Sequence, residues 1–368
     1  MTSAGSIPIN GDSLDLRPLI AAPAALGIAI IGSGNIVEHA QIPAYRAAGM
    51  RIVGITSRTQ AHARAVASRA GISRVYASVD ELLQDPEVAI VDIAVPPDFQ
   101  PAIAMQAVAA GKHVLAQKPL AVTFEEAKAV VDSAACAGVV LAVNQNGRFD
   151  PSINAARSLI QQGLLGERVA MSMQMHLKMP WQSYFKDPRY NRLMMLHMSV
   201  HHMDQFRWLF GTPTRVTATI RHVPGDVYVG ENFAAYTLEY DDGFLATSVD
   251  SGADWSSDFG IHFRILGTNA TLLGDVGWPH NRKSTLRYEL RERPAVRHEL
   301  AFSRSWFPDA FSATMGELIS AIEQRRPPSN SGADNLDTMR TVCAAYRSAE
   351  TGSAVELTFF ASHKSDLR

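Results

Sequence analysis

From Gly27 the chain alternates short, continuously apolar runs with stretches whose apolar residues recur every three or four positions. The runs are Ile28–Ile31, Ile52–Ile55, Ile90–Val95, Val114–Ala116 and Val139–Val143, and the periodic stretches lie around 36–48, 60–70, 99–110 and 123–136. Continuous apolar strands separated by helices predict a parallel sheet buried on both faces and built from right-handed crossovers. Past Gln145 this pattern stops. Phe149-Asp150-Pro151 predicts a helix start, with Asp150 as cap and Pro151 in the first turn, and that helix extends to Gln162. Strand-like segments follow at Val169–Met175, Arg215–His222, Ala234–Tyr240, Phe244–Val249 and Ile261–Leu266, with Asp242-Gly243 as a hairpin turn. Neighbouring strands of this kind predict a mostly antiparallel open sheet with helices. Helices return at about 308–325 and 333–349, on either side of Arg326-Pro327-Pro328. The expected fold class is therefore α/β plus α+β. It divides into an N-terminal arm over 1–25, a doubly wound parallel-sheet domain over 26–146 and a mostly antiparallel domain over 147–368.

Composition narrows this picture without redirecting it. A chain of 368 residues suits two domains, and 46% hydrophobic with 19% charged residues is enough core material for both. A formal charge of -2 argues against a nucleic-acid surface. No apolar run reaches the roughly 18 residues that a membrane span needs. The first two dozen residues lack a basic region before an apolar core, so no secretory signal and a cytoplasmic location are expected. Cys136 and Cys343 fall in helical stretches and fit buried thiols in a reducing compartment.

Candidate chemistry concentrates at a few places. The first apolar run ends in Gly32-Ser33-Gly34-Asn35-Ile36 and turns amphipathic. A buried strand feeding a glycine turn and a helix is an arrangement for a dinucleotide pyrophosphate: Gly32 permits the tight turn, Gly34 permits close approach, and the helix offers free N–H groups. The third glycine of the usual G-x-G-x-x-G pattern is Val37. About 20 residues on, where an acidic residue would hold a ribose 2′-hydroxyl, stand Ser57 and Arg58. These residues suit a 2′-phosphate, which favours NADP over NAD. Lys118 lies in Ala116-Gln117-Lys118-Pro119 at the carboxyl end of an apolar run, where ligands bind in open α/β sheets. His197, His201, Asp204 and Trp208 follow at helical spacing on one face, and an imidazole there suits a general base for alcohol oxidation. A purely structural polar network also fits this face, and no zinc spacing accompanies it, so no metal is expected. Asn146 and Arg148 in Asn144-Gln145-Asn146-Gly147-Arg148, with Trp181 and Tyr184 further on, combine rings and donors that suit a polyhydroxylated ligand.

Taken together, these stretches resemble the glucose-fructose oxidoreductase / inositol dehydrogenase / rhizopine-catabolism family (Gfo/Idh/MocA). The resemblance is carried from about residue 27 onward by Gly32-Ser-Gly-Asn-Ile, Ala110-Gly-Lys-His-Val-Leu-Ala-Gln-Lys-Pro-Leu, Arg148-Phe-Asp-Pro, His201-His-Met-Asp-Gln-Phe-Arg-Trp-Leu-Phe-Gly and Tyr346-Arg-Ser-Ala-Glu-Thr-Gly-Ser-Ala-Val. It implies a Rossmann domain and an NAD(P)-dependent oxidoreductase acting on sugars, inositols or related polyols. It also implies a catalytic lysine at Lys118 and a catalytic histidine at His201. The cofactor-binding set is then Gly32, Gly34, Asn35, Ile36, Ser57, Arg58, Val95, Pro96, Gln117 and Lys118. Three positions depart from the family pattern: Gln117 replaces the glutamate of its Glu-Lys-Pro motif, His197 replaces the aspartate of its Asp-x-x-x-His motif, and Gln100 replaces a usual histidine. His197 is accordingly expected to help hold the substrate hydroxyl beside Lys118 and His201. A redox-neutral enzyme of glycosidase or epimerase type, and a non-catalytic NADP-binding sensor, are the alternatives these departures leave. Family members join as dimers or tetramers through the open sheet, so a homodimer or homotetramer is expected, with no nucleic-acid or membrane partner.

Overall fold

The computed structural model describes residues 5–14, 22–179, 183–225, 227–256, 260–278 and 282–358. They form two compact units: 17–146 with 307–339, and 1–16 with 147–306 and 340–368. The first strand, β1 (Gly5–Asn10), belongs to the second unit and pairs in parallel with a late strand there. Part of the segment expected to be an arm is therefore an edge strand. Its few apolar residues are exposed or half-buried, so backbone pairing holds it, and periodicity carries no sign of it.

The first unit is built on β2 (Gly27–Ile31), β3 (Arg51–Thr56), β4 (Ile90–Ile93), β5 (His113–Ala116) and β6 (Leu141–Val143), in the order β3-β2-β4-β5-β6 and all parallel. Residues Ile28, Ile30, Ile90, Val91, Val114 and Leu115 are fully buried, as strands covered on both faces require. The covering helices are α1 (Ile42–Ala47), α2 (Gln60–Ala70), α3 (Val79–Gln84), α4 (Gln100–Ala109) and α5 (Phe124–Ala137). Their limits follow local chemistry. Thr123 and Glu126 form a reciprocal capping box at the start of α5, and Gly138 ends it in the left-handed conformation at φ 67°.

The second unit starts with α6 (Pro151–Gln161), capped by Asp150, whose carboxylate accepts from the Ser152 N–H at 2.9 Å. It continues through β7 (Arg168–His176), α7 (Val200–Phe210), β8 (Arg215–Arg221), β9 (Phe233–Glu239), β10 (Leu245–Ser251), β11 (Gly260–Gly267), β12 (Ala270–Val276), β13 (Thr285–Leu290) and β14 (Arg293–Ala301). After α8 (Asp309–Gln324), which packs with the first unit, α9 (Gly332–Thr351) and β15 (Val355–Glu356) close the chain. The sheet has the order β1-β14-β13-β12-β11-β7-β10-β9-β8-β15 and is mostly antiparallel, with β7–β10 and β1–β14 parallel. The expected hairpin turn at Asp242-Gly243 joins β9 to β10, with Gly243 at φ 82°.

Two assignments change. Residues 307–339, expected in the second domain, pack with the parallel sheet. Asn330 exchanges hydrogen bonds with Val143 and Ser331 bridges Ala142, so this segment covers the β6 edge. Of the two thiols expected to be buried, Cys343 is and Cys136 is exposed, and neither forms a disulfide. Among the described residues no helix is long and apolar enough to cross a membrane.

Candidate active site

In the parallel-sheet unit the glycine turn sits against the adjacent strand end. Gly32 has φ 120°, and a Cβ there would lie 2.1 Å from the Ala94 carbonyl oxygen, so only glycine lets the turn close. Gly34 faces open space, with nothing within 4 Å of where its Cβ would be. The helix begins at the exposed Asn35 with Ile36 and passes into a π turn over Val37–Gln41 before α1. The third glycine of the usual motif serves close packing of helix on strand. Here buried Val37 packs with Ile30, Ile42, Ile55 and Val66, and the wider π turn coincides with that added bulk. Gln41 Nε2 donates to both oxygens of the fully buried Asp92, at 2.9 and 2.8 Å, and the Tyr45 hydroxyl donates at 2.7 Å. Burial pushes the Asp92 carboxyl up to about 7.

Around the expected ribose position the buried Ser33 hydroxyl donates to Ser57 Oγ at 2.9 Å and meets His62 Nδ1 at 2.9 Å. The Arg58 guanidinium lies 5.9 Å from the centre of the Phe99 ring. Sequence reading found Ser57 and Arg58 but not Ser33 or His62, which only the fold brings beside them. Val95 and Pro96 follow β4 and are half-buried. Gln117 and Lys118 follow β5 directly, with a cis peptide before Pro119. Gln117 Nε2 is buried and has no hydrogen-bond partner among the described residues. Lys118 is half-buried, and desolvation lowers its amine to about 7. An open cradle at Gly34, free N–H groups at the following helix start and an orphaned amide at Gln117 fit a nicotinamide dinucleotide.

In the second unit the helix carrying the histidines begins with a π turn over Met195–Ser199, which holds His197, and continues as α7 with His201. The π turn interrupts the even spacing expected from His197 to Trp208. The Phe185 ring lies 4.5 Å from that of His197, and Trp306 lies edge-on to His201 at 5.6 Å. Tyr184 packs with Phe185 and Tyr190 in one aromatic cluster, so it reaches the histidine helix through Phe185. Gly147 leaves room for the helix: a Cβ there would come within 2.9 Å of Gln205 Nε2 and 3.5 Å of His201 Nδ1.

Asn146 and Arg148 lie on the 3-10 turn Asn146–Phe149 and are buried. Arg148, expected on the substrate side, is ion-paired. Its Nε and Nη2 donate to Asp204 at 2.5 and 2.7 Å, and the pair ties this turn to α7. Trp181 lies outside the described residues.

Two further groups support the helix and carry no local signature. His202 Nδ1 meets Asp250 at 2.9 Å, while Ser199 and Ser248 donate to the same carboxylate at 2.5 and 2.8 Å. Burial raises the Asp250 carboxyl, but His202 and the two serines outweigh it and hold it below the usual range. The buried Glu231 carboxylate accepts from the N–H groups of Leu193 and Met195 at 3.0 and 3.1 Å, and the Tyr346 hydroxyl donates to it at 2.5 Å. Tyr346 in turn accepts from the Leu196 N–H at 3.1 Å. Together they satisfy the first turn of the helix. Among the described residues no cluster of His, Cys, Asp and Glu is placed to hold a metal ion.

Comparison with known proteins agrees with this construction. Residues 26–145 match the family described as "Oxidoreductase family, NAD-binding Rossmann fold", and residues 157–357 match its "C-terminal alpha/beta domain". A 1,5-anhydro-D-fructose reductase of Ensifer adhaerens is 29% identical over 89% of this chain and 97% of its own. A D-xylose 1-dehydrogenase (NADP(+)) of Haloferax volcanii is 30% identical over 89% of this chain and 98% of its own. Among solved structures, an oxidoreductase from Agrobacterium radiobacter in complex with NAD+, L-tartaric acid and magnesium superposes with a TM-score of 0.81 at 24% identity, over 91% of this chain and 99% of that one. The chain belongs to the Gfo/Idh/MocA oxidoreductase family.

Proposed function

We propose that this chain is an NAD(P)-dependent dehydrogenase or reductase acting on a hydroxyl or carbonyl carbon of a sugar, inositol or related polyol, with NADP(H) preferred. The observation that carries the reading is Lys118: an amine at the end of β5, in the sheet that carries the glycine turn, lowered by burial to about 7. A bound nicotinamide supplies the hydride acceptor or donor. The chain's own task is then to move one proton to or from the substrate oxygen. Lys118 or His201 takes it: the lysine amine is lowered to about 7, and an imidazole is a common general base. His197 holds the substrate hydroxyl, and Asn146, Trp181 and Tyr184 complete the substrate side. The sugar and polyol class is supported by the relatives' names, anhydrofructose reductase and xylose dehydrogenase.

The NADP(H) preference rests on Ser33, Ser57 and Arg58 standing where a carboxylate would otherwise repel a 2′-phosphate, and on the NADP(+) named for the Haloferax relative. Association as a homodimer or homotetramer is supported by the outer face of the ten-stranded sheet, where Leu245 and Leu266 are exposed. A cytoplasmic setting is supported by the exposed free thiol of Cys136.

The test is a panel of D-xylose, 1,5-anhydro-D-fructose, D-apiose and myo-inositol with each cofactor, followed by nicotinamide absorbance. Turnover on at least one member is expected, with NADPH bound about tenfold tighter than NADH and Arg58→Ala abolishing that preference. Lys118→Ala should lose about a thousandfold in kcat with NADPH affinity kept. Full turnover in that variant overturns the catalytic role. A stable monomer by light scattering overturns the assembly.

A further inference from the structure

Gln100, the first residue of α4, is completely buried, although a primary amide has little to gain from burial unless its hydrogen bonds are met. Its Nε2 lies 2.6 Å from the Gln117 carbonyl oxygen, 2.9 Å from that of Pro119 and 3.1 Å from that of Leu120. Its Oε1 accepts the Gln117 N–H at 2.9 Å. One side chain thus grips the backbone on both sides of Lys118. The parallel ladder offers little beyond this point: Ala116 ends β5, and the last bond back to the sheet is from the Gln117 N–H to the Ile93 carbonyl at 3.0 Å.

A lysine amine rides on a flexible four-carbon stem, so its location is set by how firmly the backbone beneath it is held. The burial of Lys118 is a property of the 117–120 loop as much as of its own side chain. Removing the Gln100 amide would also take its two N–H donors from the buried carbonyl groups of Pro119 and Leu120 and the part-buried one of Gln117, and the loop would move to hydrate them. We propose that Gln100 is the positioning residue of Lys118, a side-chain clamp that fixes the 117–120 backbone and thereby holds the amine in its desolvated place. This rests on the reading of Lys118 as a proton-transfer group, and the clamp itself can be measured apart from turnover.

The experiment acetylates the full-length protein with acetic anhydride across a pH series and reads Lys118 by peptide mass spectrometry. Wild type, the near-isosteric Gln100→Met, the shortened Gln100→Asn and the donor–acceptor substitute Gln100→His are compared. In Gln100→Met the labelling midpoint should rise by about one pH unit towards the ordinary lysine range, because a loosened loop rehydrates the amine. On the best substrate of the panel, kcat should fall about tenfold while KM and the NADPH Kd change by less than about threefold. Gln100→Asn, which keeps the amide but retracts it, should shift the midpoint in the same direction by less. Gln100→His should recover part of the shift, having one donor and one acceptor to offer. An unchanged midpoint in folded Gln100→Met or Gln100→Asn overturns the clamp, as does a loss confined to thermal stability. Full turnover in Lys118→Ala would remove the catalytic reading alone and leave the labelling shift as the measure of the clamp.

Discussion

Each unit has a helix with a π turn near its start, Val37–Gln41 in one and Met195–Ser199 in the other, and each turn is held by a buried carboxylate beside a tyrosine hydroxyl. The resemblance ends at what is gripped. Asp92 lies on the central strand β4 and takes hydrogen bonds from side chains, Gln41 and Tyr45, after the glycine turn has already fixed where the helix begins. Glu231 lies just before β9 and takes backbone N–H groups, with its own carbonyl accepting from Met194 at 2.9 Å. It supplies partners that the first turn of a helix lacks. A negative charge at a helix start is favoured by the dipole, and burial nevertheless raises the Glu231 carboxyl above its ordinary range. Asp92 has no such dipole in its favour, and burial takes it to about 7. The same pair of residue types therefore trims a helix that is already placed in one unit, and creates the helix start in the other.

The largest effect should come from breaking the second anchor. Glu231→Ala strands the buried N–H groups of Leu193 and Met195 and the Tyr346 hydroxyl, and should cost about 3–4 kcal/mol of stability, read by denaturant unfolding, with a larger loss in kcat than in NADPH affinity. If stability stays within about 1 kcal/mol of wild type, Glu231 does not create the helix start.

Asp92 should show itself through pH. Its folded pKa is raised, so the folded state holds the proton more tightly than the unfolded chain does. Stability therefore falls as pH rises from the ordinary carboxylate range to about 7 and levels off above it. Between about pH 5 and pH 8 the loss should be roughly 2–3 kcal/mol. Asp92→Asn should flatten that slope in thermal melts and leave the NADPH Kd within about threefold of wild type. A slope that survives the substitution, or a lost cofactor site, would break the comparison. The smallest effects are those of the hydroxyls. Tyr346→Phe should destabilise by about 2 kcal/mol, because it deprives both Leu196 N–H and Glu231, and Tyr45→Phe by about 1 kcal/mol, because Asp92 keeps Gln41. Equal losses would show that the two anchors work alike.

These anchors also mark where the sequence stops being informative. The glycine turn, the Asp150 cap, the Asp242-Gly243 hairpin and the five parallel strands were all legible, since each depends on residues a few positions apart. Hydrophobic period reports such neighbours directly. Strands β12, β13 and β14 escaped it. In β14 the residues are mostly exposed or half-buried, and what makes them a strand is pairing with β13 and β1. The candidate residues divide the same way. Lys118, Gly32, Gly34 and His201 were visible in short motifs. The partner of Arg148 lies 56 residues away, the Gln100 clamp spans 17, and Glu231 meets Tyr346 across 115.

By itself, then, the sequence determined the local elements, the pairing of a parallel sheet with a mostly antiparallel one, the glycine turn and the motif residues at strand ends and on the histidine helix. Each of these follows from backbone sterics, capping and side-chain period within a few residues. The tertiary structure alone decided that residues 307–339 complete the parallel-sheet unit, that Gly5–Asn10 joins the ten-stranded sheet and that Arg148 turns to Asp204. It also decided that Gln100, Asp92 and Glu231 are buried with their hydrogen bonds met. A buried polar group is tolerable only where distant backbone or side chains supply its partners, and that condition is met only once the chain has folded.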